Sequence, residues 1–208
     1  MEYNVYSHLL ALDIIKGNQT YSDIFETIFD TIREISENNI ISQFNLVGQN
    51  SKSISKALTL LIEKGLLSNG WKAEQPIFKD NISVVDSILG KRWTHDFYLN
   101  SVSLEIAFNH EEGSVWNLSK SLISYLPNDK VKNCDVRIGV IICVTNNMRQ
   151  KGGFDNSIGT FEKYIQYLKL MRSIFTMPVL LIGINAPENF VIKPCRFPNK
   201  TIGQIKNI

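Results

Sequence analysis

The stretch His95-Asp-Phe-Tyr-Leu-Asn-Ser-Val-Ser-Leu-Glu-Ile-Ala-Phe-Asn109 decides the fold. Its second half alternates strictly, with Val102, Leu104, Ile106 and Phe108 on one face and Ser103, Glu105, Ala107 and Asn109 on the other. Residues 95–98 read as a short strand and Leu99-Asn100-Ser101 as a turn, so the stretch predicts a β-hairpin. Outward from it, residues 135–145 and 178–184 are near-continuous apolar runs, which suit strands buried on both faces. Stripes of period 3.6 predict helices over 21–35, 51–64, 115–126 and 160–174, the second stopping at Gly65 in the manner of a helix C-terminus. Residues 146–157 are polar and Gly-rich and predict a loop. Together these predict one α/β domain over 1–208, a mixed sheet flanked by helices, with a helical N-terminal part (1–90) packed on an α/β core (91–187).

A chain of 208 residues with 44% hydrophobic and 20% charged residues can bury a full core, which excludes a disordered class. The net charge is only +2, so nucleic-acid binding needs a local patch. The candidates are Lys91-Arg92, Arg149-Gln-Lys151 and the lysines between 193 and 206. Cys134, Cys143 and Cys195 form no CxxC pair, which argues against a zinc knuckle or a disulfide framework. The apolar runs are strand-length and the N-terminus does not read as a signal peptide, so a soluble, cytoplasmic protein away from membranes is expected.

The hairpin brings Asp96 and Glu105 toward one end of the sheet. Two such carboxylates repel unless a cation lies between them, and hard oxygen ligands suit Mg²⁺, which can deliver a water to a phosphate. The competing reading is that Asp96 merely ends a strand and Glu105 is solvated. His95 adjoins Asp96 but by strand parity points to the opposite face, which makes it structural. Trp71, Trp93 and Trp116 sit among apolar neighbours and read as core or interface anchors.

Asp96-Phe97 followed by Val102-Ser-Leu-Glu105-Ile-Ala-Phe108-Asn109 resembles the D…E-x-Q-F core of the BglII and BstYI type II restriction endonucleases. Val5-Tyr-Ser-His-Leu9, Gly70-Trp71-Lys72 and Leu180-Leu-Ile-Gly-Ile184 with Ala186-Pro187 are similar to segments of that family in the same order. The resemblance implies a restriction-endonuclease-like core of the PD-(D/E)xK type and a homodimeric, Mg²⁺-dependent enzyme. It also implies cleavage of double-stranded DNA within palindromes containing GATC, leaving 5′ overhangs, and a cognate methyltransferase in the same host. Asp96 and Glu105 match the metal-binding catalytic carboxylates. Asn109 and His110 follow where the family approaches base edges, and Asn146, Lys151, Asn156 and Ser157 lie in the polar stretch that matches the family's second recognition loop.

One position departs from the family. Where relatives carry Gln, Glu or Lys two residues after the glutamate, this chain has Ala107, on the same face as Glu105. A methyl group can neither orient water nor stabilise a charged phosphate. The sequence leaves open a substitute such as His110 or Glu111, a backbone carbonyl, an engineered change, or a weakened or inactive DNA-binding relative. His110 is a candidate for catalysis or DNA contact, beside the plainer reading of a surface histidine. The segment 51–64 resembles the second helix of a winged helix–turn–helix, which leaves a non-catalytic DNA-binding regulator as a rival.

Overall fold

The computed structural model describes residues 1–47, 51–79, 93–127, 132–198 and 200–208. Lys91-Arg92 and the boundary placed at residue 90 lie outside the described residues. Strands β1 (Tyr3–His8), β2 (Lys72–Pro76), β3 (Thr94–Leu99), β4 (Val102–Ile106), β5 (Ile138–Val144) and β6 (Val179–Ile184) form one mixed sheet in the order β1-β6-β5-β4-β3-β2. Helices α1 (Ala11–Lys16), α2 (Gln19–Glu34), α3 (Glu37–Val47) and α4 (Ser55–Ser68) precede the hairpin, and α5 (Gly113–Tyr125), α6 (Asn146–Lys151) and α7 (Phe161–Leu170) follow it. A separate antiparallel hairpin, β7 (Phe190–Phe197) with β8 (Lys200–Asn207), ends the chain.

The three central strands are parallel, β4 beside β5 and β5 beside β6. Every residue of β5 and β6 is buried, as their unbroken apolar runs require when helices cover both faces. One apolar layer joins Leu104, Val140 and Ile182 to the helices α1 to α4 through Phe25, Ile28 and Leu58. The other joins Ile141, Cys143 and Leu181 to α5 and α7 through Leu118, Tyr164 and Leu168. The predicted α/β sandwich is therefore present.

Several local expectations change. The N-terminal third is not all helix, because it supplies both edge strands: β1 pairs antiparallel with β6, and β2 with β3. Gly65 does not end its helix but lies inside α4, where a Cβ would stand 2.5 Å from Thr31 Cγ2. Glycine is needed there for close approach to α2. The predicted loop after β5 begins with α6, whose first turn is capped by Thr145 Oγ1 accepting from the Met148 N–H at 3.2 Å. Trp71 is buried and donates to Thr27 Oγ1 at 3.0 Å, whereas Trp116 is 61% exposed and meets Trp93 edge-on, so a core role fails for Trp116. His8 is buried with Nε2 2.8 Å from the Phe175 carbonyl, a structural role. The three cysteines are free, and among the described residues no helix is long and apolar enough to cross a membrane.

Candidate active site and nucleic-acid interface

The β3–β4 hairpin turns through Asn100 and Ser101, both at positive φ (41° and 69°), the left-handed pair that a two-residue turn between twisted strands demands. Its register runs from Leu99↔Val102 to Phe97↔Leu104 and does not continue to Asp96. There the Asp96 side chain takes over the ladder's role, Oδ2 accepting from the Ile106 N–H at 2.9 Å. The break also defeats the parity argument for His95. That ring does not lie on the far face: its Nδ1 stands 2.8 Å from Glu105 Oε1 and its Nε2 2.8 Å from Ser124 Oγ of α5. Burial, with the charge of Lys120, pushes the His95 pKa down to about 3, so the ring is neutral. Facing a carboxylate, Nδ1 carries the proton and donates it, while Ser124 donates to Nε2.

Glu105 is fully buried, on the face of β4 that α5 covers, and is not the solvated residue of the competing reading. Its second oxygen, Oε2, accepts from Lys120 Nζ at 2.7 Å, and the same ammonium lies 3.5 Å from Asp96 Oδ1. Each carboxylate is thus anchored by one oxygen and turns the other toward a single cation position. The sequence reading missed both Lys120 and the part played by His95. A signal existed: Ser114, Asn117, Ser121 and Ser124 recur at helical spacing along α5 and are buried, so this helix presents polar atoms to the sheet. Ser121 accordingly bonds Ser103 of β4 at 2.9 Å.

Burial, then repulsion from Glu105, raises the Asp96 pKa to about 6, and burial raises Glu105 to about 7 although Lys120 opposes the shift. Burial disfavours the Lys120 ammonium, but Glu105 and Asp96 outweigh it and raise its pKa. One ammonium therefore under-compensates two carboxylates. A carboxylate whose folded pKa exceeds its unfolded value costs stability as pH rises through that interval. In metal-free buffer, Asp96→Asn is expected to stabilise the fold by about 1 kcal/mol at pH 8 and to change little at pH 4, after discounting for screening at a partly exposed side chain. Urea midpoints at the two pH values test this, and equal midpoints at pH 8 count against it.

The donor set suits a small divalent ion. Among the described residues no cluster of three or more His, Cys, Asp or Glu side chains is gathered for a metal. An ion between Asp96 and Glu105 takes its remaining ligands from backbone, water or phosphate, the habit of Mg²⁺. Ala107 is buried in the same apolar cluster as Leu118 and Cys143, on Glu105's side of the sheet, so the parity expected of it holds. Neither suggested substitute reaches the pair. The Glu111 carboxylate is held by Lys163 and Tyr167, and His110 Nδ1 by Ser157 Oγ at 2.6 Å.

Beyond β4 a cleft of about 720 Å³ opens, lined by Lys52, Ser55, Asn109, His110, Asn156 and Arg196. Its wall is assembled from distant parts of the chain. The Gly203 N–H of β8 donates to the Ser51 carbonyl at 2.8 Å, and the Ile54 N–H to the Gly152 carbonyl at 3.1 Å. Gly153, at φ +74°, sits where a Cβ would meet Ile192 of β7 at 2.6 Å. Four predicted contacts thus gather here: Asn109, His110 and Asn156 on the lining, with Ser157 bonded to His110. Two do not. The Asn146 backbone N–H donates to the Glu162 carboxylate at 3.0 Å. Lys151 donates to the Pro187 carbonyl at 3.3 Å beside a different cleft, with Arg33 and Glu37. The start of the segment read as a recognition helix does face the cleft, through Lys52, Ser53 and Ser55.

Comparison with known proteins agrees with this architecture. Residues 3–184 match the family described as restriction endonuclease BglII/BglIII. The structure is similar over 100% of the chain to the crystal structure of restriction endonuclease BglII complexed with a DNA 16-mer (TM-score 0.68, 16% identity, 100% of that chain covered). It is also similar to that of free BglII (TM-score 0.58, 14% identity, 100% of this chain and 93% of that chain). At such identities the likeness carries the fold. Among curated proteins none matches the chain.

Proposed function

The chain belongs to the BglII/BglIII family of restriction endonucleases, and from that premise we propose that it hydrolyses double-stranded DNA at a palindrome containing GATC, with Mg²⁺ held by Asp96 and Glu105, leaving 5′ overhangs. The observation that carries this reading is the convergence of Asp96 Oδ1 and Glu105 Oε2 on one cation position. When bound there, the ion supplies charge against the scissile phosphate and acidifies a water for attack. The chain's own groups keep the ligands aimed. The Ile106 N–H fixes Asp96 Oδ2, and neutral His95, held by Ser124, fixes Glu105 Oε1. Helix α5 covers Glu105 and excludes bulk water from it.

Asn109, His110, Asn156 and Ser157 are the proposed duplex contacts. Asparagine amides match the donor and acceptor of adenine's major-groove edge, and the Lys52 and Arg196 side chains suit phosphates. His110, held by Ser157 at the cleft, is assigned to DNA contact rather than to chemistry. Asn146 does not line this cleft and Lys151 borders another, and the reading does not require them. Two copies of the chain match the twofold axis of a palindrome, one active site to each strand. A host carrying such sites needs a methyltransferase to protect them.

The test is to incubate the protein with plasmid of known sequence in Mg²⁺, Ca²⁺ and EDTA and map the ends. Discrete Mg²⁺-dependent 5′ overhangs at a common GATC-centred site are expected. Specific binding in Ca²⁺ without cutting in Mg²⁺ would instead favour the inactive relative, and binding lost only through changes in 51–64 the regulator.

A further inference from the structure

The two carboxylates share one partner that stands on a different element, Lys120 of α5. Its Nζ lies 2.7 Å from Glu105 Oε2 and 3.5 Å from Asp96 Oδ1, at the point where the unanchored oxygens meet. The side chain is 19% exposed, so Lys120 is largely packed yet not sealed from solvent. Its helix is fixed on the sheet by Ser121 to Ser103 and Ser124 to His95, one and four residues further on. No side chain from β4 itself competes for the place, because position 107 carries only a buried methyl group. We infer that Lys120 is the third charged member of the active site: it occupies the cation position in the metal-free protein and turns to the scissile phosphate when a divalent ion takes that position.

The inference rests on the nuclease reading above and adds a residue to it. An ammonium and a divalent ion cannot share one pair of carboxylate oxygens without strong repulsion in so dry a place. The four-carbon stem of lysine lets the charge swing away while the backbone stays put. The phosphate that the ion binds is the nearest anion left to meet it. Lys120 keeps its proton throughout, so its contribution is electrostatic: it stabilises the extra negative charge of the five-coordinate phosphate. In the resting protein the same ammonium keeps Glu105 and Asp96 from standing uncompensated.

A placeholder that becomes a participant leaves a signature of opposite signs. Lys120→Met removes the charge and keeps the stem. Without DNA, Mn²⁺ measured by calorimetry is expected to bind about tenfold more tightly to this variant, because its competitor is gone. Single-turnover cleavage at saturating Mg²⁺ is expected to fall about 10²- to 10³-fold, with Lys120→Arg recovering part of it. Duplex binding in Ca²⁺ should be retained, which also reports that the variant is folded. Cleavage by Lys120→Met at about the parent rate, or Mn²⁺ affinity falling together with cleavage as for a mere prop, overturns the inference. Glu105→Ala, run alongside, separates the two levels. If it also cuts like the parent, the site assignment itself fails. If it is dead while Lys120→Met is not, only the role of Lys120 falls.

Discussion

Glu105→Ala is expected to abolish cleavage, by about 10³-fold or more, while leaving duplex binding in place. Glu105 is fully buried, with one oxygen on His95 and the other on Lys120. Asp96→Ala should be as severe, since each carboxylate supplies one of the two converging oxygens. The pair acts as a unit, so the double variant should be little worse than either single one. Truncating Glu105 also leaves a buried imidazole and a half-buried ammonium without their partner, at about 1–3 kcal/mol. Glu105→Gln controls for that loss because it keeps an acceptor toward His95. Single-turnover cleavage in Mg²⁺ with binding measured in Ca²⁺ separates chemistry from folding. Parent-like cleavage by both alanine variants would remove these residues from the site.

Gly183→Val should disrupt the fold, costing about 3 kcal/mol by urea denaturation, with Gly183→Ala close behind. Gly183 is the penultimate residue of β6, paired with both β5 and β1. A Cβ there would meet Phe161 Cγ, Cδ2 and Cβ at 2.6 to 2.8 Å, the root of a ring at the start of α7. No rotation of the phenyl group relieves a clash with its own Cβ, so α7 must shift. That helix also carries Tyr164, whose hydroxyl accepts from Asn117 of α5 at 3.0 Å. The disturbance therefore reaches the helix that bears Lys120, and cleavage should weaken along with stability. Phe161→Leu in the same chain should recover part of the loss, as coupled neighbours do. A Gly183→Ala protein as stable as the parent would show that the close approach costs nothing.

The parts of the fold legible in the sequence are those whose surroundings are uniform. Strands β5 and β6 are covered on both faces, so their residues are apolar throughout. In β4 the alternation runs through Ser103 and Glu105, which face a helix with polar atoms of its own. Edge strands carry a weaker pattern, because water takes one side. Strand β1 mixes Asn4 and Ser7 with Val5, and β7 and β8 carry Lys193, Pro194, Arg196 and Thr201, so neither region reads as sheet. The two carboxylates of the candidate site are legible as neighbours because a hairpin places them by local rules. His95 was misplaced because a single break in the ladder, made by Asp96's own side chain, reversed its parity. Lys120 was invisible for another reason: what it touches depends on how α5 docks, which no spacing within β4 reveals.

The wall of the cleft has a different ancestry of parts from the carboxylate pair. The pair and its lysine come from one hairpin and the helix after it. The wall draws on Ser51–Ile54, Gly152–Gly153 and the terminal hairpin β7–β8, and the residues matched to the family end at 184, before that hairpin begins. On the proposed reading, Asn109 and His110, which follow directly on β4, tie the cleft to the carboxylate pair, while the rest of the wall comes from segments remote from it in the chain. On the same reading, substitutions at Arg196, Thr201 or Asn156 alter the preferred DNA word while Asp96 and Glu105 stay as they are.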